Sequence, residues 1–161
     1  MKKGQAWGFD LSIAGAIFIA GMVTFYFFAV NTPSNGETNI DQLAYEGKVV
    51  ADSLLSEGSP SNWNITTVYK IGILTEGKIN DTKLSSFYAA SQTQYQATKP
   101  LLGTKFDYFI NFSEPIIINS AAVGGIGHEP VNTDNVLKIS RFAVYNNKPI
   151  SVEVLVWKPN D

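Results

Sequence analysis

The first feature of the chain is a long apolar run close to its N-terminus. No charged residue occurs from Leu11 to Val30, where the sequence reads LSIAGAIFIAGMVTFYFFAV. A helix rises ~1.5 Å per residue, so this run spans ~30 Å, the thickness of the hydrocarbon core of a bilayer. We predict a transmembrane helix over 5–30. The alternative is a core helix of a soluble protein, which is disfavoured because such helices are seldom apolar on all sides.

The pattern changes after the apolar run. Residues 31–37 read NTPSNGE, a cluster of turn formers in which Pro33 opposes a continuous helix, and this predicts a hinge. An amphipathic helix is predicted next, because apolar residues recur at helical spacing. Thr38 and Asp41 resemble a capping box at its start, and Gly58 is suited to its end. The apolar face comprises Ile40, Leu43, Ala44, Val50, Ala51, Leu54 and Leu55.

Further elements follow from the same periodicities. ITTVYKIGIL at 65–74 predicts a strand, and TEGK after it predicts a turn. Helical spacing of apolar residues predicts a helix over 81–103, which Pro100 ends or kinks. At 106–113 the sequence FDYFINFS alternates between apolar and polar residues, as in a half-buried strand.

The C-terminal part predicts a β-hairpin. Its arms are 137–146 and 150–157, and the turn cluster NKP separates them. The apolar residues of the first arm change parity, which predicts a bulge near Ser140 and Arg141. Residues 38–161 are therefore expected to form an α+β head domain, with a helix packed on a mainly antiparallel sheet.

Composition narrows the chemistry. The 161 residues carry a net charge of −2 without a basic stripe, which argues against nucleic acid as a partner. There is no cysteine, so disulfides and thiol chemistry are excluded. The only histidine is His128 in GGIGHEP, and it lacks the second histidine of a zinc-protease motif. We expect GGIG to be a glycine-rich surface loop, and we predict no enzymatic activity, no cofactor and no metal site.

Asp10 stands at the edge of the apolar run, where a carboxylate gains from a positive partner. The sequence KKGQ, followed by this acid and then by the apolar run, resembles the class III signal peptide of archaeal type IV pilin-like proteins. The resemblance implies that 1–4 is a leader that a prepilin-type peptidase removes after Gly4, leaving Gln5 as the new N-terminus. The family's acid usually lies at the fifth mature position, whereas here Phe9 is fifth and Asp10 is sixth.

The resemblance implies a pilin-like fold and a structural function. The apolar helix would pack with other pilin subunits into a surface filament or a secretion-type pseudopilus, assembled by an ATPase and a membrane platform protein. Asp10 would neutralise the processed amine of a neighbouring subunit. Lys2 and Lys3 place the N-terminus in the cytoplasm and the head outside by the positive-inside rule.

Two other interpretations remain open from the residues. The chain is alternatively a single-pass anchor that carries an external binding or adaptor domain and does not polymerise, with Asp10 incidental. An anchored enzyme ranks last, because little recognisable catalytic machinery is present.

Three sequons of the form N-x-S/T lie in the part predicted to be external. They begin at Asn64, Asn80 and Asn111, and each is a candidate N-glycosylation site. Asn111 falls within a predicted strand, which makes it the least accessible of them.

Overall fold

The structure is a computed structural model that describes residues 4–31, 35–133 and 135–158. The chain divides into two compact units, Met1–Thr38 and Asn39–Asp161. The first unit contains helix α1 (Gly4–Asn31), which covers the predicted apolar helix. Of the predicted leader, residues 1–3 lie outside the described residues, as do 32–34 of the predicted hinge, including Pro33.

In the described part of the chain, a single sheet contains all the strands. Their order is β1-β2-β5-β6-β3-β4, and every neighbouring pair is antiparallel except β2 and β5, which are parallel. The predicted α+β class with a mainly antiparallel sheet is therefore confirmed. The strands are β1 (Leu74–Thr75), β2 (Lys78–Ile79), β3 (Asp107–Ile118), β4 (Ala121–Gly127), β5 (Val136–Tyr145) and β6 (Lys148–Trp157).

One face of the sheet carries the core. The alternation predicted at 106–113 is confirmed, because Tyr108, Ile110 and Phe112 on β3 are all buried. Successive side chains of a strand point to opposite faces, so these three share one side of the sheet. Antiparallel pairing places Val156, Val154 and Val152 of β6 directly opposite them, and these valines are fully buried.

Helix α2 (Asn35–Leu54) is the predicted amphipathic helix. Its buried face includes Leu43, Val50, Ala51 and Leu54, as predicted, whereas Ile40 is 54% exposed and Ala44 is also exposed. The helix begins before Thr38, so the predicted capping box is wrong. Pro33 precedes the first residue of α2 in the sequence, and proline is tolerated at the start of a helix.

Gly47 sets the distance between α2 and the sheet. A Cβ atom added at this glycine would lie 2.9 Å from Ile139 Cδ1 and 3.3 Å from Leu137 Cδ2, both on β5. The absent side chain thus lets the helix backbone approach the strand closely. Further along α2, Asp52 forms an ion pair with Arg141 of β5. The distance between Arg141 Nη2 and Asp52 Oδ1 is 3.8 Å.

The strand predicted at 65–74 is mostly absent, and only Leu74 and Thr75 form one. Lys70 forms an isolated antiparallel bridge with Ser59, and the backbone that follows is bonded to helix ends. The N–H of Ile71 donates to the carbonyl of Leu101 at 2.9 Å, and the N–H of Ile73 donates to the carbonyl of Leu54 at 2.8 Å. Because a helix leaves its last carbonyls without internal partners, such bonds satisfy both groups.

The helix predicted over 81–103 is divided into α3 (Asp81–Thr93) and α4 (Tyr95–Leu101). Asn80 caps α3, and its side chain accepts a hydrogen bond from the backbone N–H of Lys83 at 3.1 Å. The break lies at Gln94, whose φ and ψ of −139° and 43° are not helical. Pro100 lies within α4, one residue before its end, in agreement with the predicted termination.

The prediction of a surface loop at GGIG is wrong, because these residues belong to β4. The strand pairs with β3 on both sides of an irregularity, with partners Asn111 and Gly125 before it and Ile116 and Val123 after it. The extra residues of β3 form a bulge opposite Gly124. Glycine is required nearby, since a Cβ at Gly125 would overlap the ring of Phe109. The glycines thus accommodate close neighbours within a strand.

The C-terminal hairpin is confirmed, but its predicted bulge is wrong. The register of β5 and β6 runs without interruption from Val136 opposite Trp157 to Tyr145 opposite Lys148. The change of parity has another cause, which is that Phe142 points outward and is 82% exposed. In the sequence, this apolar side chain on the solvated face of the sheet therefore gave the same pattern as a bulge.

Substitution of Gly72 by alanine tests the junction at which residues 71–74 contact the ends of α2 and α4. A Cβ here would overlap the backbone of Gly58 and of Ser56, and backbone atoms cannot move aside cheaply. We expect Gly72→Ala to lower the free energy of unfolding by about 3 kcal/mol. The measurement is urea unfolding of the full chain in detergent micelles, followed by tryptophan fluorescence.

Gly124→Ala is the matched control, because a Cβ at Gly124 meets nothing within 4 Å. Its effect should stay within about 0.5 kcal/mol. Equal effects of the two substitutions would contradict the importance of the junction.

Candidate assembly helix and candidate modification sites

Helix α1 presents an apolar surface on all sides. Every residue from Gly8 to Val30 is exposed within the structure, including Phe9 at 69% and Phe28 at 77%. By length and composition, this is a helix that can cross a membrane. Exposure of so much apolar surface to water is unfavourable, and a lipid or a protein environment removes that cost.

Two hydroxyl side chains within α1 are satisfied by the helix itself. Ser12 Oγ donates to the carbonyl of Gly8, and Thr24 Oγ1 donates to the carbonyl of Ala20, each at 2.8 Å. Internal pairing is what hydrocarbon requires, since lipid tails offer hydrogen-bonding groups no partner. A Cβ added at Gly8, Gly15 or Gly21 would meet nothing within 4 Å. These glycines leave shallow places where another helix can approach closely.

Asp10 lies near the N-terminal end of this apolar surface. Its side chain is exposed, and no ion pair with it occurs among the side chains that the structure describes. Gly4 and Gln5, the predicted processing residues, lie in the first turn of α1, and their side chains lie outside the described set. The arrangement leaves a carboxylate at the end of an apolar rod, where a positive group at the same depth would stabilise it.

His128 follows β4 and stacks on a tyrosine. Its ring lies 3.8 Å from the ring of Tyr95, centroid to centroid, at an interplanar angle of 16°. The Tyr95 hydroxyl accepts from the N–H of Tyr108 at 2.9 Å and donates to the carbonyl of the same residue at 3.1 Å. Lys99 and Asp107 form a buried ion pair beside them. The cluster ties α4 to the start of β3.

The chemistry of this cluster is set by burial. Removal from water raises the pKa of Tyr95 and that of Tyr108 well above the ordinary tyrosine value. The Tyr108 hydroxyl is further engaged with the hydroxyl of Thr98. Both phenols are therefore neutral and held in hydrogen bonds. In the described ranges, no group of three or more His, Asp or Glu side chains is placed to hold a metal ion.

The three candidate glycosylation sites have different surroundings. Asn64 lies in an exposed turn between α2 and β1. Asn80 is half-buried and caps α3. Asn111 lies in β3, where its Nδ2 donates to Glu153 Oε2 at 3.3 Å. Hydrogen bonds from Lys138 and from Asn111 lower the pKa of the Glu153 carboxyl, so this amide is part of a polar row across the sheet.

Two buried lysines were not singled out in the sequence. Lys83 is 6% exposed, and its Nζ donates to the carbonyl of Glu57 at 2.9 Å and to that of Leu74 at 2.7 Å. Lys99 is equally buried and pairs with Asp107. A signal was present, because each lysine lies four residues from a core aromatic residue, Phe87 or Tyr95, on the same helix.

Comparison with known proteins gives no assignment, since no protein family model, no curated protein and no solved structure matches this chain.

The stability of the head should fall in alkali. Burial raises the pKa of Tyr108, so above about pH 10 the unfolded chain releases a proton that the folded chain retains. The contribution of protonated Tyr108 to the free energy of unfolding is fully present below pH 10. It is lost as the pH rises, by up to about 1.4 kcal/mol per pH unit. We expect Tyr108→Phe to reduce the slope of unfolding free energy against pH between 10 and 11.5.

Phe87→Leu is the control for packing alone, because Phe87 stacks on Tyr108 at 6.2 Å between centroids and carries no hydroxyl. It should lower stability at every pH and leave the slope unchanged. If Tyr108→Phe does not alter the slope, the raised pKa of Tyr108 is contradicted.

Proposed function

We propose that the protein is a type IV pilin-like or pseudopilin subunit. In this proposal α1 anchors the chain in the membrane and then packs with other subunits into a filament or pseudopilus. The head forms the outer surface. The observation that carries the proposal is the combination of KKGQ, Asp10 and an apolar helix whose surface is exposed throughout.

Processing supplies the partner that Asp10 lacks. Cleavage after Gly4 by a prepilin-type peptidase would create an α-amine at Gln5, within two helical turns of Asp10 along the same helix. The amine of one subunit and the carboxylate of the next then lie at similar depth when the helices are staggered. Attraction between unlike charges is strong where the dielectric constant is low, so the pair selects one axial register.

The position of the charges supports the proposed topology. Lys2 and Lys3 precede α1, and no lysine or arginine follows it until Lys48. The positive-inside rule then leaves the N-terminus in the cytoplasm and the head outside. Assembly in this orientation requires an ATPase on the cytoplasmic side and a platform protein in the membrane.

The mass of the N-terminal peptide from the native membrane fraction tests the proposal. We expect a chain that begins at Gln5. A chain that retains Lys2 and Lys3 would contradict processing and would favour an external binding domain on an uncleaved anchor.

Asp10→Asn tests the assembly step separately. Without the charge, the processed amine of the neighbour has no partner in the membrane, and we expect processed subunits to accumulate without filaments. The measurement is the filament fraction sheared from cells and quantified by immunoblot.

Asp41→Asn is the matched control, because Asp41 is an exposed carboxylate on α2 outside the apolar helix. It should leave the filament fraction unchanged. Normal filaments with Asp10→Asn would exclude the proposed role of this carboxylate.

A further inference from the structure

The turn at Asn64 holds a sequon in a defined geometry. Asn64 Oδ1 accepts three hydrogen bonds, from Thr66 Oγ1 at 2.7 Å, from the N–H of Thr66 at 2.9 Å and from the N–H of Thr67 at 3.2 Å. The carbonyl of Asn64 accepts from the N–H groups of Thr67 and Val68 at 3.1 and 3.0 Å. Both the side chain and the backbone of the asparagine are thus fixed by the residues that follow it.

The donors around Asn64 identify its two side-chain atoms. Backbone N–H groups donate only, so the atom that receives them is the amide oxygen. The amide nitrogen Nδ2 then points away from the turn, and no hydrogen bond to it occurs within the described ranges. Residues 64–67 are all exposed. The nitrogen is accordingly open to a reagent in solution.

The protein on either side holds this turn on the surface. Trp63 is 5% exposed, and its Nε1 donates to the carbonyl of Gly72 at 2.7 Å. The residue before Asn64 is therefore anchored in the core, while Ile65 and Thr66 project from it. The buried Trp63 and the hydrogen bonds within the turn together hold Asn64 at the surface.

The other two sequons are engaged by the fold. The Oδ1 of Asn80 caps α3, and the backbone N–H of Asn80 donates to the carbonyl of Ile73 at 2.8 Å. Asn111 pairs with Gly125 of β4 on one side and with Glu153 of β6 on the other, and its Nδ2 is bonded to the latter. An enzyme that needs either asparagine in an open loop must disrupt a helix cap or an interior strand.

We propose that the folded head is N-glycosylated at Asn64 and at neither Asn80 nor Asn111. In the reaction, Nδ2 of Asn64 forms a bond to C1 of the first sugar of a polyprenyl-linked oligosaccharide. The bond between that carbon and the phosphate oxygen breaks, the polyprenyl phosphate leaves, and the amide nitrogen passes one proton to the solvent. In cells this rests on the proposed function, which places the head outside.

The test uses the purified full chain in detergent micelles. The reagents are a single-subunit oligosaccharyltransferase and its polyprenyl-linked oligosaccharide. As a positive control, the same enzyme and donor must first modify a synthetic peptide of residues 61–69. We expect one adduct by intact mass, located at Asn64 by peptide mapping. Asn64→Gln should abolish the adduct, and the double variant Asn80→Gln with Asn111→Gln should retain it.

Variants at Thr66 separate the hydroxyl from the rest of the turn. Thr66→Ala removes the 2.7 Å bond to Oδ1 and should abolish the adduct, while Thr66→Ser keeps a hydroxyl and should restore it. An adduct at Asn80 or Asn111 on the folded chain would overturn the proposal. Modification of Asn64 only after the chain is unfolded in urea would also overturn the proposal.

The outcome is independent of filament assembly, because the reaction in micelles supplies the donor whatever the topology in cells. A glycan on Asn64 of native protein that still carries Lys2 and Lys3 would overturn the proposed processing and support the glycosylation site.

Discussion

The head domain depends on one short extended segment, residues 71–74. Its N–H groups bond to the carbonyls of Leu101 and Leu54, at the ends of α4 and α2, and the carbonyl of Ile73 accepts from Asn80, the cap of α3. One segment thus satisfies terminal groups of every helix described in the head, groups that helices cannot pair internally. The side chains of Ile71 and Ile73 are buried. Backbone pairing and apolar burial therefore fix the same junction.

Periodicity along the sequence revealed most of the head, because burial repeats with the period of each element. It located α2, α3, the first half of β3 and the C-terminal hairpin. It was wrong where an extended, β-branched segment found its hydrogen-bonding partners at helix ends, as at Ile71 and Ile73. It was also wrong at β4, where glycines that allow close packing of Phe109 resemble those of a loop. In both places distant contacts decide the structure.

The candidate sites also include features that the local sequence indicates and features that depend on distant contacts. The apolar helix, Asp10 and the sequons are local features, so the sequence alone indicates them. Which sequon is open depends on the capping of α3 by Asn80 and on the pairing of Asn111 with strands that are distant in the sequence. The buried pair of Lys99 and Asp107 joins α4 to β3. The sequence does not single out this pair, because only the folded chain brings the two residues together and shows that they are largely removed from water.

The bulge in β3 has a consequence for crowded surfaces. Among the described residues β4 pairs with β3 alone, so its outer edge offers unpaired backbone groups to other chains. An uncharged edge strand of this kind is a template for aggregation. The bulge lies in β3 opposite Gly124, and a bulge increases the local twist of the strand pair, which bends the edge that β4 presents. A twisted edge is a poorer template for a foreign strand than a flat one.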